Sequence, residues 1–174
     1  MRLKYTGEIA VVILAIIVSA MIPLPFSLAI GDSMLPNFND WDWLWVDRSY
    51  DDLQRGDVVC VQSNMRYKWI PLKIKLLKRV VGLPGEHIAI YDGQVYIDKM
   101  PITEDYLYEP YTDGILFDTL NVNEYFVMGD NRLASRDSRS VLIGRVTEDM
   151  ILSKITGKLF SPTCITNLWR DNDA

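Results

Sequence analysis

At 174 residues, 49% hydrophobic and 24% charged, the chain is long enough for one globular domain with its own core. Its net charge of −5 argues against a nucleic-acid binder, which would be basic overall. Two cysteines, Cys60 and Cys164, are too few for a disulfide scaffold, and a single histidine, His87, cannot build the usual Cys/His zinc site.

Arg2 and Lys4 precede an uncharged stretch from Ile9 to Ile30. A membrane-spanning helix needs about 17–25 apolar residues, and basic residues before a span place its N-terminus in the cytoplasm. The expected organisation is a short cytoplasmic N-terminus (1–8), a transmembrane anchor with an interfacial segment (9–30) and an extracytoplasmic β domain (31–174). Val18-Ser19-Ala20 also has the form of a signal-peptide cleavage site, but the apolar run continues through Ile22 and Leu24, which favours retention in the bilayer. Pro23 and Pro25 end the helix at the outer interface.

The polar part opens with Gly31-Asp32-Ser33-Met34-Leu35-Pro36. Ser33 lies eight residues beyond Pro25, so the chain keeps it within about 30 Å of that point. Next, Trp41 to Asp47 alternates and puts three tryptophans on one face of a strand. Some of them are expected in the core, with contact to lipid headgroups as the other use of such a face. Arg55-Gly56-Asp57 reads as a turn into the apolar strand Val58-Val59-Cys60-Val61, where Cys60 serves as a small buried hydrophobe. From Arg66 to Arg79 there are six basic residues and no acidic one. A solvated strand edge accounts for most of them, and attraction to anionic headgroups is the sharper reading.

Gly82, Pro84 and Gly85 mark a tight turn, and Asp92-Gly93 between His87–Ile90 and Gln94–Ile97 is a strong hairpin signal. Residues 101–121 are irregular and acidic and are expected to form a long loop. Glu124–Met128 returns as a strand into Gly129-Asp130-Asn131, and Val146–Phe160 holds short apolar runs of strand or helix type.

A serine hydroxyl is a poor nucleophile until a base takes its proton. Nothing pairs the lone His87 with Ser33, which leaves lysine as the base, a known variant of the triad logic. Lysine works only when burial brings its pKa from about 10.4 into the ~7–8 range. Lys78, between Leu76-Leu77 and Val80-Val81, suits this better than Lys73 or Lys75, which alternate with apolar residues on an exposed face. A hydroxyl such as Ser135 or Ser138 can aim its nitrogen without adding charge, and Asp137 with Arg139 can pair along one strand face.

Three stretches resemble the signature boxes of type I signal peptidases, the membrane-bound Ser-Lys proteases that remove signal peptides. These are Gly31–Pro36, Lys78–Gly85, and Gly129–Arg132 with Ser135–Arg139. The resemblance runs from about Gly31 to about Phe160, in the family's order. It implies Ser33 as nucleophile and Lys78 as general base, with no metal and no cofactor. Ser135 would orient the lysine, with Asp137, Arg139, Asp130 and Arg132 in support. Met34 would lie near the substrate pocket. Gly31 stands where some relatives carry an oxyanion-stabilising hydroxyl, so backbone N–H groups must serve. Asn37 replaces the usual threonine. The implied fold is mainly β, an antiparallel, barrel-like catalytic domain lying on the bilayer, with the signal peptide of a preprotein bound as an extra strand and cut after an Ala-x-Ala pattern. Oligomeric state stays open. The rivals are a dedicated maturation peptidase of a conjugation system, a soluble self-cleaving Ser-Lys repressor, and an inactive membrane-anchored assembly domain. The Asp130–Arg139 pattern, the apolar span and the full set of catalytic residues disfavour them in turn.

Overall fold

The computed structural model describes residues 24–66 and 73–162. The helix expected from residue 9 and Cys164 lie outside that range. Among the described residues no helix is long and apolar enough to cross a membrane. The strands are β1 (Phe26–Leu28), β2 (Trp43–Asp47), β3 (Val58–Arg66), β4 (Lys73–Gly82), β5 (His87–Tyr91), β6 (Gln94–Ile97), β7 (Met100–Pro101), β8 (Leu116–Thr119), β9 (Glu124–Met128), β10 (Val146–Thr147) and β11 (Ile151–Phe160). One 3₁₀ turn, Glu148–Met150, precedes β11. The protein is thus mainly antiparallel β, as the sequence implies.

Seven strands form one sheet in the order β1-β2-β11-β3-β4-β9-β10, and four form a second in the order β7-β6-β5-β8. No hydrogen-bonded ladder joins β1 to β10 among the described residues, so the large sheet is open and not a closed barrel. It is nevertheless curled. Four strand steps separate β1 from β4, about 19 Å if flat, yet Ser27 and Lys75 line one groove of about 730 Å³.

β4 is the strand on which the packing converges. Val80 belongs to a core cluster with Val59, Val61, Val127 and Ile151. Its neighbour Val81 belongs to the cluster that joins the two sheets, with Ile88, Ile90, Val95 and Phe126. Leu77 leans on a third, made of Ala29, Met34, Leu44, Val46, Val58 and Ile155. Burying these side chains contributes about 1.5–3 kcal/mol each before ordering costs. Lys78, between Leu77 and Val80, is therefore carried into the interior by its neighbours.

Four sequence expectations change. Alternation along β2 holds, but the buried face is Asp42, Leu44 and Val46, while Trp41, Trp43 and Trp45 are 55%, 38% and 42% exposed. Asp42 can be inside because its carboxylate accepts the Asn39 amide at 2.8 Å and pairs with Lys158 at 3.2 Å. Phe26–Leu28, placed with the apolar segment, is an edge strand paired to β2. Residues 101–121 are not wholly loop: β8 pairs with β5, setting Ala89 opposite Phe117. Asp137 and Arg139 sit in a turn and not on a strand. The Asp92-Gly93 hairpin stands as read, both residues having positive φ (50° and 78°), the type I′ pattern.

Candidate active site

The turn from Gly31 to Pro36 brings Ser33 over β4, and Lys78 Nζ lies 2.8 Å from Ser33 Oγ. The lysine is 2% exposed, and its nitrogen also donates to Leu77 O at 2.7 Å. Burial pulls its pKa from 10.5 down to about 8, with Arg139 acting in the same direction against the opposing charges of Asp137 and Asp130. An amine so placed is partly neutral near pH 7 and can take a hydroxyl proton. The Ser33 amide donates to no group among the described residues, so it is free to stabilise an oxyanion.

The stretch after β9 anchors this turn. Asn131 donates its amide to Ser33 O at 3.1 Å and its side chain to Asp32 O at 3.2 Å. Gly129 fits because it has no side chain: a Cβ there would lie 2.4 Å from Ser33 O and 2.3 Å from Ser135 Oγ. Asp137 accepts the Gly129 amide at 3.1 Å, and Arg139 clasps Asp137 with bonds of 2.9 and 3.0 Å. Burial alone would raise the Asp137 pKa, but the hydrogen bond and charge of Arg139 hold it below the usual range. The ion pair thus reaches Ser33 through the Gly129 backbone. Ser135 Oγ is buried beside the Asp137 carboxylate, whose charged form its hydroxyl favours, and makes no hydrogen bond of ordinary geometry among the described residues, whereas Ser138 Oγ is taken by the Val127 amide at 3.0 Å.

Comparison with known proteins places the chain in a family. Residues 3–160 match the family described as signal peptidase, peptidase S26. The chain is 34% identical over 154 residues to signal peptidase I T of Bacillus subtilis, covering 81% of this chain and 76% of that protein. It is 32% identical over 160 residues to a signal peptidase I of Bacillus amyloliquefaciens, covering 83% and 77%. A crystal structure of a signal peptidase I from Enterococcus faecalis superposes with a TM-score of 0.48 at 29% identity, over 64% of this chain and all of that one. The chain belongs to the signal peptidase family. Membership makes it a serine endopeptidase of the class that removes signal peptides.

Within this signal peptidase, the residues singled out from sequence divide into those the fold brings together and those it sets apart. Ser33, Lys78, Ser135, Asp137 and Arg139 converge. Asp130 and Arg132 are both buried but serve separate ion pairs. Arg79 grips Asp130 with bonds of 2.8 and 2.5 Å, and Arg132 grips Glu104 at 3.0 and 2.5 Å while its Nε donates to Gly129 O. Met34 is 2% exposed and faces the third core cluster, so it supports the turn from below and does not line the groove. The Gly31 amide is committed to Asp40 Oδ1 at 2.7 Å and is not a free donor. His87 stands on the smaller sheet, bonded to Thr119 Oγ1, apart from Ser33.

Sequence reasoning missed Arg79, Glu104 and Asn131, whose partners lie 51, 28 and 99 residues away. It noted Asn37 only as a departure. Asn37 Nδ2 donates to Asp130 Oδ2 and to Tyr106 O, at 2.9 and 2.6 Å, tying the end of the nucleophile turn to the Arg79–Asp130 pair.

Proposed function

We propose that this signal peptidase works by a Ser-Lys dyad, Ser33 as nucleophile and Lys78 as general base, anchored in the cytoplasmic membrane. The anchor is a single span, N-terminus inside and catalytic domain outside. The observation that carries the proposal is the 2.8 Å separation of Lys78 Nζ and Ser33 Oγ, with the amine buried to a pKa of about 8. In the neutral amine the lone pair receives the Ser33 hydroxyl proton while an N–H stays on Leu77 O. Ser33 Oγ attacks the scissile carbonyl, and the oxyanion lies against the Ser33 amide. The lysine then gives its proton to the departing amine, leaving an acyl-enzyme. The mature protein, which is the C-terminal fragment, has then already left; Lys78 next deprotonates a water that attacks the ester and returns that proton to Ser33 Oγ as the signal peptide leaves. The Ser135 hydroxyl, buried beside the Asp137 carboxylate and with its lone pairs free of any N–H among the described residues, supports a role in holding a Lys78 N–H when Ser33 turns to substrate.

The preprotein enters as an extended strand. Among the described residues, β4 from Lys73 to Leu77 pairs with β3 on one side only and β1 pairs only with β2, so two open edges flank the groove. Leu28, Leu44, Cys60 and Leu77 line the groove's end toward Lys78, an apolar surface suited to small side chains of the Ala-x-Ala kind. Exposed Leu24, Trp43, Trp45 and Phe160 on β1, β2 and β11 and just before them supply an apolar face for the bilayer.

The test is cleavage of a preprotein with an Ala-x-Ala site by the detergent-solubilised full chain, beside Ser33→Ala and Lys78→Met. Wild type should cut at that site and both variants should lose roughly 10³-fold or more in rate. Near-wild-type cleavage by either variant would overturn the dyad.

A further inference from the structure

The groove between β1 and β4, which reaches Leu77 just before Lys78, is not uniform. Near Lys78 it is walled by Leu28, Leu44 and Leu77, and at its far end by Lys73, Lys75 and Gln62. Register explains the order: Cys60 lies opposite Leu77 and Gln62 opposite Lys75, so Leu77, Lys75 and Lys73 share one face of β4. Both lysines are exposed, and neither has an ion pair or hydrogen bond among the described residues. Arg55, Arg79, Arg132, Arg139, Arg145, Lys154 and Lys158 each have a carboxylate within reach, and Arg48, Lys99 and Arg136, which have none among the described residues, do not line the groove. In a chain of net charge −5, Lys73 and Lys75 are the two groove-lining cations, and both lack a carboxylate partner among the described residues.

We infer that Lys73 and Lys75 make the enzyme select preproteins with an acidic residue upstream of the cut, within about the fourth to seventh residue before it. The inference rests on the peptidase reading above. A peptide laid along the open edge of β4 runs at about 3.3 Å per residue, so Lys75 and Lys73 meet it about 7 and 13 Å beyond Leu77. Its side chains face the wall at every second residue. A carboxylate at such a position gains a partly exposed ion pair with one or both lysines, and a basic residue there meets like charge. The wall therefore both attracts and rejects, with a period of two along the substrate.

The test uses Ala-x-Ala peptides that carry Glu, Gln or Lys singly at the third to eighth residues before the cut, with the detergent-solubilised full chain. At positions two residues apart, kcat/KM for Glu should exceed that for Gln by about threefold and Lys should fall below Gln by a similar factor. The ratio should approach one in roughly 0.5 M salt. Lys73→Glu with Lys75→Glu should reverse the order, and Lys73→Gln with Lys75→Gln should flatten it. Each ratio is read within one variant, so a change in folded fraction cancels. Equal rates for Glu and Gln at every position, with the neutral peptides cut, would overturn the inference and leave the peptidase reading standing. So would a preference that survives the double glutamine variant. If no peptide in the set is cut, the peptidase reading fails and the inference with it.

Discussion

The two ends of β4 are made from similar residues and have opposite environments. Among the described residues Lys73 to Leu77 pairs with β3 alone and leaves its lysines in water, whereas Arg79 is bracketed by β3 and β9, and Val80 to Gly82 lie buried beside β9. Lys78 stands where one regime gives way to the other. A lysine in the first half is a solvated charge, and five residues on it is a desolvated base. Local sequence sets which residues share a face, but neighbouring strands set which lysine loses its water.

That contrast can be broken in order of expected size. Asp137→Ala removes the acceptor that Arg139 and the Gly129 amide share, leaving the Arg139 guanidinium only the exposed Asp113 carboxylate as an ion-pair partner. With that partner remaining, the cost should be about 3 kcal/mol, the low end for breaking a buried pair, read as a fall in the urea midpoint at constant slope. A loss under about 1 kcal/mol would show that Gly129 holds its place without the pair.

Lys78→Met should be stabilising at neutral pH. With the folded pKa lowered from 10.5 to about 8, the native state binds fewer protons than the unfolded chain between those values. Unfolding free energy therefore rises with pH across that window, and the penalty of the buried lysine is complete below about 8. Its size is roughly 3 kcal/mol, reduced by the lost hydrogen bonds. Urea titrations of both proteins at pH 7 and above pH 10.5 should show the advantage at the first and its disappearance at the second.

Activity reports the same group. For the wild-type enzyme kcat/KM should climb with pH about tenfold per unit below 8 and level off above it, while Lys73→Gln leaves the midpoint unmoved. A midpoint near 10 would mean that Lys78 is hydrated in solution. Smallest of all, Lys75→Ala should change stability by less than about 0.5 kcal/mol, because its exposed charge has no partner to lose.

Much of the candidate site was legible in advance. The turn around Ser33 is a weak signal alone and gained weight from the Lys78 and Gly129–Arg139 stretches, Lys78 was marked by the leucines and valines on either side, and the hairpin by Asp92-Gly93. What escaped has a common cause. Alternation in Trp41–Asp47 shows which residues share a face but not which face is inside, and Asp42 gave no hint that Lys158 would meet it. The partners of Arg79 and Arg132 lie far along the chain, where spacing carries no signal. β8 is only four residues long, with an aspartate in it, too short to show a period. Gly129 looked like a turn residue, and only the approach of Ser33 O and Ser135 Oγ reveals that its missing side chain is the point.

The open edge of β4 has one more consequence, for the protein in a crowd of its own copies. An unpaired strand edge is a template for any other edge, including the same one on a second molecule. Two such edges brought together would set Lys73 and Lys75 of one copy beside those of the other. Lysine on a free edge is a common guard against this kind of sticking. Replacing both with uncharged residues should therefore leave the enzyme more prone to aggregate as its concentration rises. On the proposed reading, the charges that keep this edge from pairing with its own copy leave it free for a preprotein strand.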